Sequence, residues 1–234
     1  MADGSAPAQW RRVGGAALAP LRAAIAPGHV FSEQAAGARP LAVCTGLVIL
    51  TIATALPMTT YLRAAAQIAG LDPRSPLVGR AVLLRLAVVT PGDTVAYLLL
   101  VAGLLWTVCA LTGRLDVDFR TCAVIVFVAG ITQVLRRAFA LSVLWVRHAG
   151  LAGAPGNYEV WTGLDIPFEV FRSGPPVLVS VARHLGVFEV WFVVLLVIGL
   201  VEMTRVRIRS AALTAGVTYG VVLIGLVAID LLAR

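Results

Sequence analysis

From Val190 to Val201 the chain reads VWFVVLLVIGLV, with no charged or strongly polar side chain between Glu189 and Glu202. A helix needs about 20 mostly apolar residues to cross the hydrocarbon core of a bilayer, and the run 185–203 that contains this stretch meets that length. Three further runs do the same: 40–62, 94–112 and 211–232. Such runs exclude a fold whose surface faces water. The composition agrees, since charged residues make up 13% of the chain against about 25% in soluble domains, and the mean hydropathy is +0.92. The expected class is an all-α integral membrane protein.

The run 121–146, TCAVIVFVAGITQVLRRAFALSVLWV, is the ambiguous one, because Arg136 and Arg137 interrupt it. Its Val, Ile, Leu and Phe residues favour insertion by roughly 4–8 kcal/mol, and two central arginines oppose it by roughly 5–7 kcal/mol. The balance is near zero. Either the span ends near Leu135 and the guanidinium groups snorkel to the interface, or the arginines find partners inside the protein. With this run the expectation is a bundle of five transmembrane helices with short interfacial helices, spanning 40–62, 94–112, 121–146, 185–203 and 211–232. Pro57 is expected to kink the first span near its end. Residues 1–25 read as a disordered or amphipathic arm and 26–234 as the membrane domain. Within it, 26–40, 76–88 and 174–186 read as short surface helices, opened by prolines at or near their first turns.

All 19 basic residues are arginines, and the formal charge is +7. They lie in small groups between apolar runs rather than along one face, which argues against a nucleic-acid partner and for loops flanking spans. Arg205, Arg207 and Arg209, with Glu202, mark one rim. The N-terminal arm and the loops 113–120 and 204–210 carry the short-loop arginines, so the positive-inside rule puts the N-terminus in the cytoplasm. Arg11-Arg12 ahead of a weak apolar stretch bears a faint likeness to a twin-arginine signal, but Pro20 and Arg22 break the stretch. The absence of lysine, with abundant Ala, Gly and Val, points to a GC-rich bacterial source and a bacterial cytoplasmic membrane.

Glu189 and Glu202 cannot work as a pair within one helix, since thirteen residues turn it by roughly 220° and advance it by roughly 20 Å. The first expectation is that they mark opposite rims, Glu189 beside Phe188 and Trp191 as an interfacial anchor. A sharper reading joins helices. Thr132, Gln133, Arg136 and Arg137 fall on one stripe, and Glu189 is a candidate partner for one of the arginines. Interfacial snorkelling leads, followed by a structural ion pair and then by an anion or headgroup site, because intramembrane ionisable residues are candidates for function by default. The candidate polar site is therefore Gln133, Arg136, Arg137 and Glu189. Asp230, four residues from Arg234, reads as a rim pair.

No HExxH, GxSxG, P-loop or dinucleotide fingerprint is present, and His29, His148 and His184 are far apart. Cys44, Cys109 and Cys122 are isolated in apolar runs, which suits small buried hydrophobes. No catalytic residue, metal site or cofactor is expected. A cleft holding Glu159, Asp165, Glu169 and His184 is the one arrangement that would support an enzyme. Gly216-x-x-x-Gly220 is a helix-packing signal that lets a neighbouring backbone come close.

Several pieces of the chain resemble the Yip family of multi-pass membrane proteins, named for interaction with Ypt/Rab GTPases. Pro27 to Phe31 is similar to a PGxxF entry segment, and Gly113 and Phe119 to a short loop before the third span. Phe188, Trp191, Leu195 and Gly199 are similar to an F-x-x-W-x-x-x-L-x-x-x-G motif, followed by Arg209 and Ala211. The resemblance implies a five-helix domain with a cytoplasmic N-terminus. Eukaryotic members are linked to vesicle trafficking and membrane shaping, and bacterial members mostly have no assigned function. The expected function is that of a non-enzymatic protein that binds membrane lipids or partner membrane proteins in membrane organisation. The alternative is a small transporter or channel with an anion site at Arg136 and Arg137.

Overall fold

The computed structural model describes residues 16–35, 37, 39–57, 59, 72, 75–112, 117–148 and 175–232. Among these every regular element is helical. The chain runs through α1 (Ala19–Ala23), α2 (Pro27–Ala35), α3 (Pro40–Ala55), α4 (Pro76–Leu84), a π-helical turn (Arg85–Val89) and α5 (Thr90–Thr112). It continues through α6 (Phe119–Ala129), α7 (Ile131–His148), α8 (Pro176–Arg183), α9 (Val187–Thr204) and α10 (Ile208–Leu232). Four continuous helices are long and apolar enough to cross a membrane: Pro76–Thr112, Phe119–Val143, Val187–Thr204 and Ile208–Leu232. The fifth expected span is shorter. α3 has 16 residues, or about 24 Å at 1.5 Å per residue. It ends before Pro57, which follows the helix rather than kinking it, as proline commonly does after a C-cap. The remainder of the expected 40–62 span includes residues outside the described set.

The centre of the bundle is α6. Every residue from Cys122 to Ala129 is buried, so this helix is apolar on all sides, the pattern of a segment enclosed by other helices. α3, α5 and α9 pack around it, and α1 also touches it. Its N-terminus is capped by Asp118, whose Oδ1 accepts from Thr121 N–H at 3.0 Å. The hydrogen bond from the Thr121 side chain is the main cause that holds the Asp118 carboxyl below its ordinary range. A lowered carboxyl stabilises above its unfolded pKa and loses that contribution as pH falls through the folded value. Asp118→Ala is therefore expected to lower stability by about 1 kcal/mol at neutral pH. The gap between parent and variant melting curves should close below about pH 4.

Two expectations about the periphery are corrected. Residues 76–88 do not form a separate surface helix, because α4 continues through the π turn into α5. Pro91 has no N–H to offer and its ring crowds the carbonyl one turn back. The wider turn accommodates it, and Thr90 Oγ1 donates to Arg85 O at 2.9 Å. The second correction concerns residues 16–35, which leave the membrane surface and enter the bundle. Val30 and Phe31 are buried, as are Ala16, Ala19 and Ala23. Phe31 lies against Gly199 and α2 packs on α9, an apolar wedge between helices where the weak amphipathic pattern suggested a surface segment. Ala17 lies against Gly46 of α3 so closely that a Cβ there would collide with the Ala17 backbone. Arg22 grips Glu33 with both guanidinium ends, at 2.8 and 3.1 Å, which ties α1 to α2. That hydrogen-bonded pair raises the Arg22 pKa and lowers the Glu33 carboxyl.

The arginine-rich hinge between α9 and α10 holds a local strain. Arg205 caps α9 in the left-handed region at φ 56°, where a Cβ is unfavourable by about 1–2 kcal/mol. Arg205→Gly is expected to raise the unfolding midpoint in detergent, with a gain of about 1 kcal/mol. Glu202, Arg205, Arg207 and Arg209 are all exposed at this hinge. Glu159, Asp165 and Glu169 lie outside the described residues, as does Gly113. Val187–Thr204 and Ile208–Leu232 match the expected last two spans closely.

A candidate polar site inside the helix bundle

α7 brings the expected stripe to an inner corner of the bundle, toward the start of α9. The helix does not stop at Leu135 but continues past both arginines, as the expected span 121–146 requires, and Arg136 makes the ion pair that is the second of the three readings. Its Nη1 donates to Glu189 Oε1 at 2.6 Å, in an ion pair whose carboxylate side chain is 6% exposed and whose guanidinium is 33% exposed. Glu189 stands in the first turn of α9, at the end of that helix, and is buried against Arg136 rather than open to solvent. A carboxylate so removed from water is tolerated because the charge-assisted bond to Arg136 replaces part of its hydration. Phe188 and Trp191 flank it differently. Phe188 packs against Phe139 of α7 with ring centroids 5.8 Å apart, one turn beyond Arg136, and Trp191 stays partly exposed.

Arg137 takes a separate path. Its Nη2 donates to Thr94 Oγ1 of α5 at 2.7 Å, a neutral acceptor for a full positive charge. Among the described residues its Nη1 is buried without a hydrogen-bond partner, and so is the second carboxylate oxygen of Glu189, Oε2. Both residues line one cavity of about 240 Å³. Gln133 lines it from α7 with the two arginines, whereas the hydroxyl of Thr132 turns back to the Ala129 carbonyl at 3.1 Å. Asp93, Thr94 and Tyr97 line it from α5, and Tyr219 and Leu226 from α10. His184, just after α8, closes another side, held by its backbone carbonyl accepting from Tyr219 Oη at 2.7 Å.

The structure thus joins all four residues of the expected polar site in one cavity and adds residues that sequence reasoning missed. Asp93, Thr94 and Tyr97 fall at i, i+1 and i+4 on one helix face, the same spacing that exposed the arginine stripe. The expected span opens at Thr94, which leaves Asp93 outside it and the shared face unread. Tyr219 carried a weaker signal, a polar tip within an apolar run. The packing motif behaves otherwise than expected: among the described residues nothing approaches a Cβ built on Gly216 or Gly220 within 4 Å, so none of their backbone uses that face. Gly199 makes room for side chains instead, since a Cβ there would lie 2.7 Å from Ile125 Cγ2 and 3.0 Å from the Phe31 ring. Leu195, the motif residue one turn earlier, is buried in the core.

No group of three or more His, Cys, Asp or Glu side chains converges as a metal site among the described residues. The chemistry available at the cavity is recognition by charge and hydrogen bonding, with two guanidinium groups, two carboxylates and two phenols. No family model, curated protein or solved structure matches the chain.

Proposed function

We propose that this chain is a non-enzymatic, Yip-type membrane protein that binds the polar head of a membrane lipid in the Arg136–Glu189 cavity and serves membrane organisation. In this reading it crosses a bacterial cytoplasmic membrane five times, with α3 as the short fifth span and the N-terminus in the cytoplasm. The observation that carries the proposal is the cavity itself. Charged groups within a bundle of membrane helices are costly to place there and mark binding sites or pathways, and here Arg137 and Glu189 each keep a buried polar atom without a partner among the described residues. The meeting of Phe31 with Gly199 supports the Yip likeness, because it joins the entry segment to the long motif. An anion pathway along the arginines draws on the same residues. The apolar packing of Phe31, Ile125, Leu195 and Leu200 in the core favours a closed binding site over a continuous path.

Native mass spectrometry of protein released from a nonionic detergent tests the reading. The parent is expected to retain an adduct of lipid mass, and Arg137→Leu to lose it while keeping a cooperative melt. A parent that emerges bare, or an adduct indifferent to Arg137→Leu, overturns the proposal.

A further inference from the structure

We infer that the head held in this cavity is a zwitterion, with its phosphate or carboxylate on Arg137 and a primary ammonium on Glu189. This rests on the binding reading above and specifies its ligand class. The two unpartnered atoms are of opposite kind: Arg137 Nη1 is a donor on a cation, and Glu189 Oε2 is an acceptor on an anion. A lone anion would satisfy the first and leave the second bare. A lone cation would do the reverse.

The charge count of the walls leads to the same ligand. Arg136 and Arg137 are matched in number by Glu189 and Asp93, so the arginines and carboxylates of the lining sum to zero. A ligand of zero net charge keeps the filled site neutral, whereas a monoanion or a monocation would leave one uncompensated charge beside the buried Glu189. Tyr97 and Tyr219 line the same space, and aromatic walls attract an ammonium through the ring quadrupole. At about 240 Å³ the cavity is far larger than one water, whose share of liquid volume is about 30 Å³. The free Glu189 oxygen needs an N–H donor, so a primary amine satisfies it and a trimethylammonium does not. The matching chemistry is an ethanolamine-type phosphoryl head, carried on a lipid or free in solution.

Thermal melts of the full chain in detergent, titrated with four probes, test this. The probes are short-chain phosphatidylethanolamine, phosphatidylcholine and phosphatidylglycerol, and water-soluble phosphoethanolamine. Phosphatidylethanolamine is expected to raise the midpoint with an apparent affinity at least tenfold above the choline and glycerol lipids. Glu189→Gln keeps an acceptor for Arg136 but places an amide N–H₂ where the free oxygen stood. It is expected to erase that preference while phosphatidylglycerol still binds, and Arg137→Leu is expected to weaken all the phosphate-bearing probes. If phosphatidylglycerol binds the parent as tightly as phosphatidylethanolamine, the zwitterion inference falls and lipid binding stands. If phosphoethanolamine alone binds with the expected response to Glu189→Gln, the zwitterion stands and the lipid source falls. If none of the four binds, both readings fall.

Discussion

Glu189→Ala is expected to destabilise the protein by about 3 kcal/mol, the lower end of the cost of breaking a buried ion pair. The loss arises because Arg136 stays behind with its charge and without the carboxylate at 2.6 Å. The figure sits at the lower end because a third of the Arg136 side chain remains exposed and can recover some hydration. Arg136→Leu should cost a comparable amount, since it strands Glu189, which is the more deeply buried partner. The double variant Arg136→Leu/Glu189→Leu is expected to regain most of either loss, because replacing both charges by apolar groups of similar size is often neutral. Denaturant unfolding of the four proteins in one detergent gives the coupling directly. Single variants that stay within about 0.5 kcal/mol of the parent would show that the pair contributes nothing, and the description of the site as an enclosed ionic corner would fail.

The second large effect belongs to Gly46. A Cβ at this position would collide with the Ala17 carbonyl oxygen and its carbon. Backbone cannot give way as a flexible side chain can, so Gly46→Val is expected to expel α1 from its seat. The cost should be about 3 kcal/mol, at the upper end of ordinary overpacking. Limited proteolysis should then cut between residues 16 and 35 at a rate well above that of the parent. Gly216→Ala is the matched control, because nothing lies within 4 Å of its added atom. It should melt within about 0.5 kcal/mol of the parent. Parent-like proteolysis in Gly46→Val would mean that the segment does not dock against α3.

How far these features could be read in advance differs from place to place. Long apolar runs announce membrane helices because the bilayer fixes their length, and α9 and α10 lie close to where the runs put them. The α4–α5 helix was harder, because Pro91 and Gly92 are ordinary signs of a loop; only the π turn, with Thr90 bonding to Arg85, lets the helix continue. Phe31 gave almost no warning, since its burial depends on a space left by Gly199 on a distant helix. The ionic site lay between these cases. The i, i+1, i+4, i+5 stripe placed Gln133 and both arginines on one face, and Glu189 could be named as a partner. Preference for the interface over pairing turned on an insertion balance near zero, and that balance carries no information about a contact spanning 53 residues.

That same separation has a consequence for the order in which the protein is made. When Arg136 is joined to the growing chain, the 53 residues up to Glu189 have yet to be added. At about 5–20 residues per second the delay is roughly 3–11 s. During that interval Arg136 has no counter-charge from α9, so the final seating of α7 is a late event of biogenesis, completed when α9 arrives.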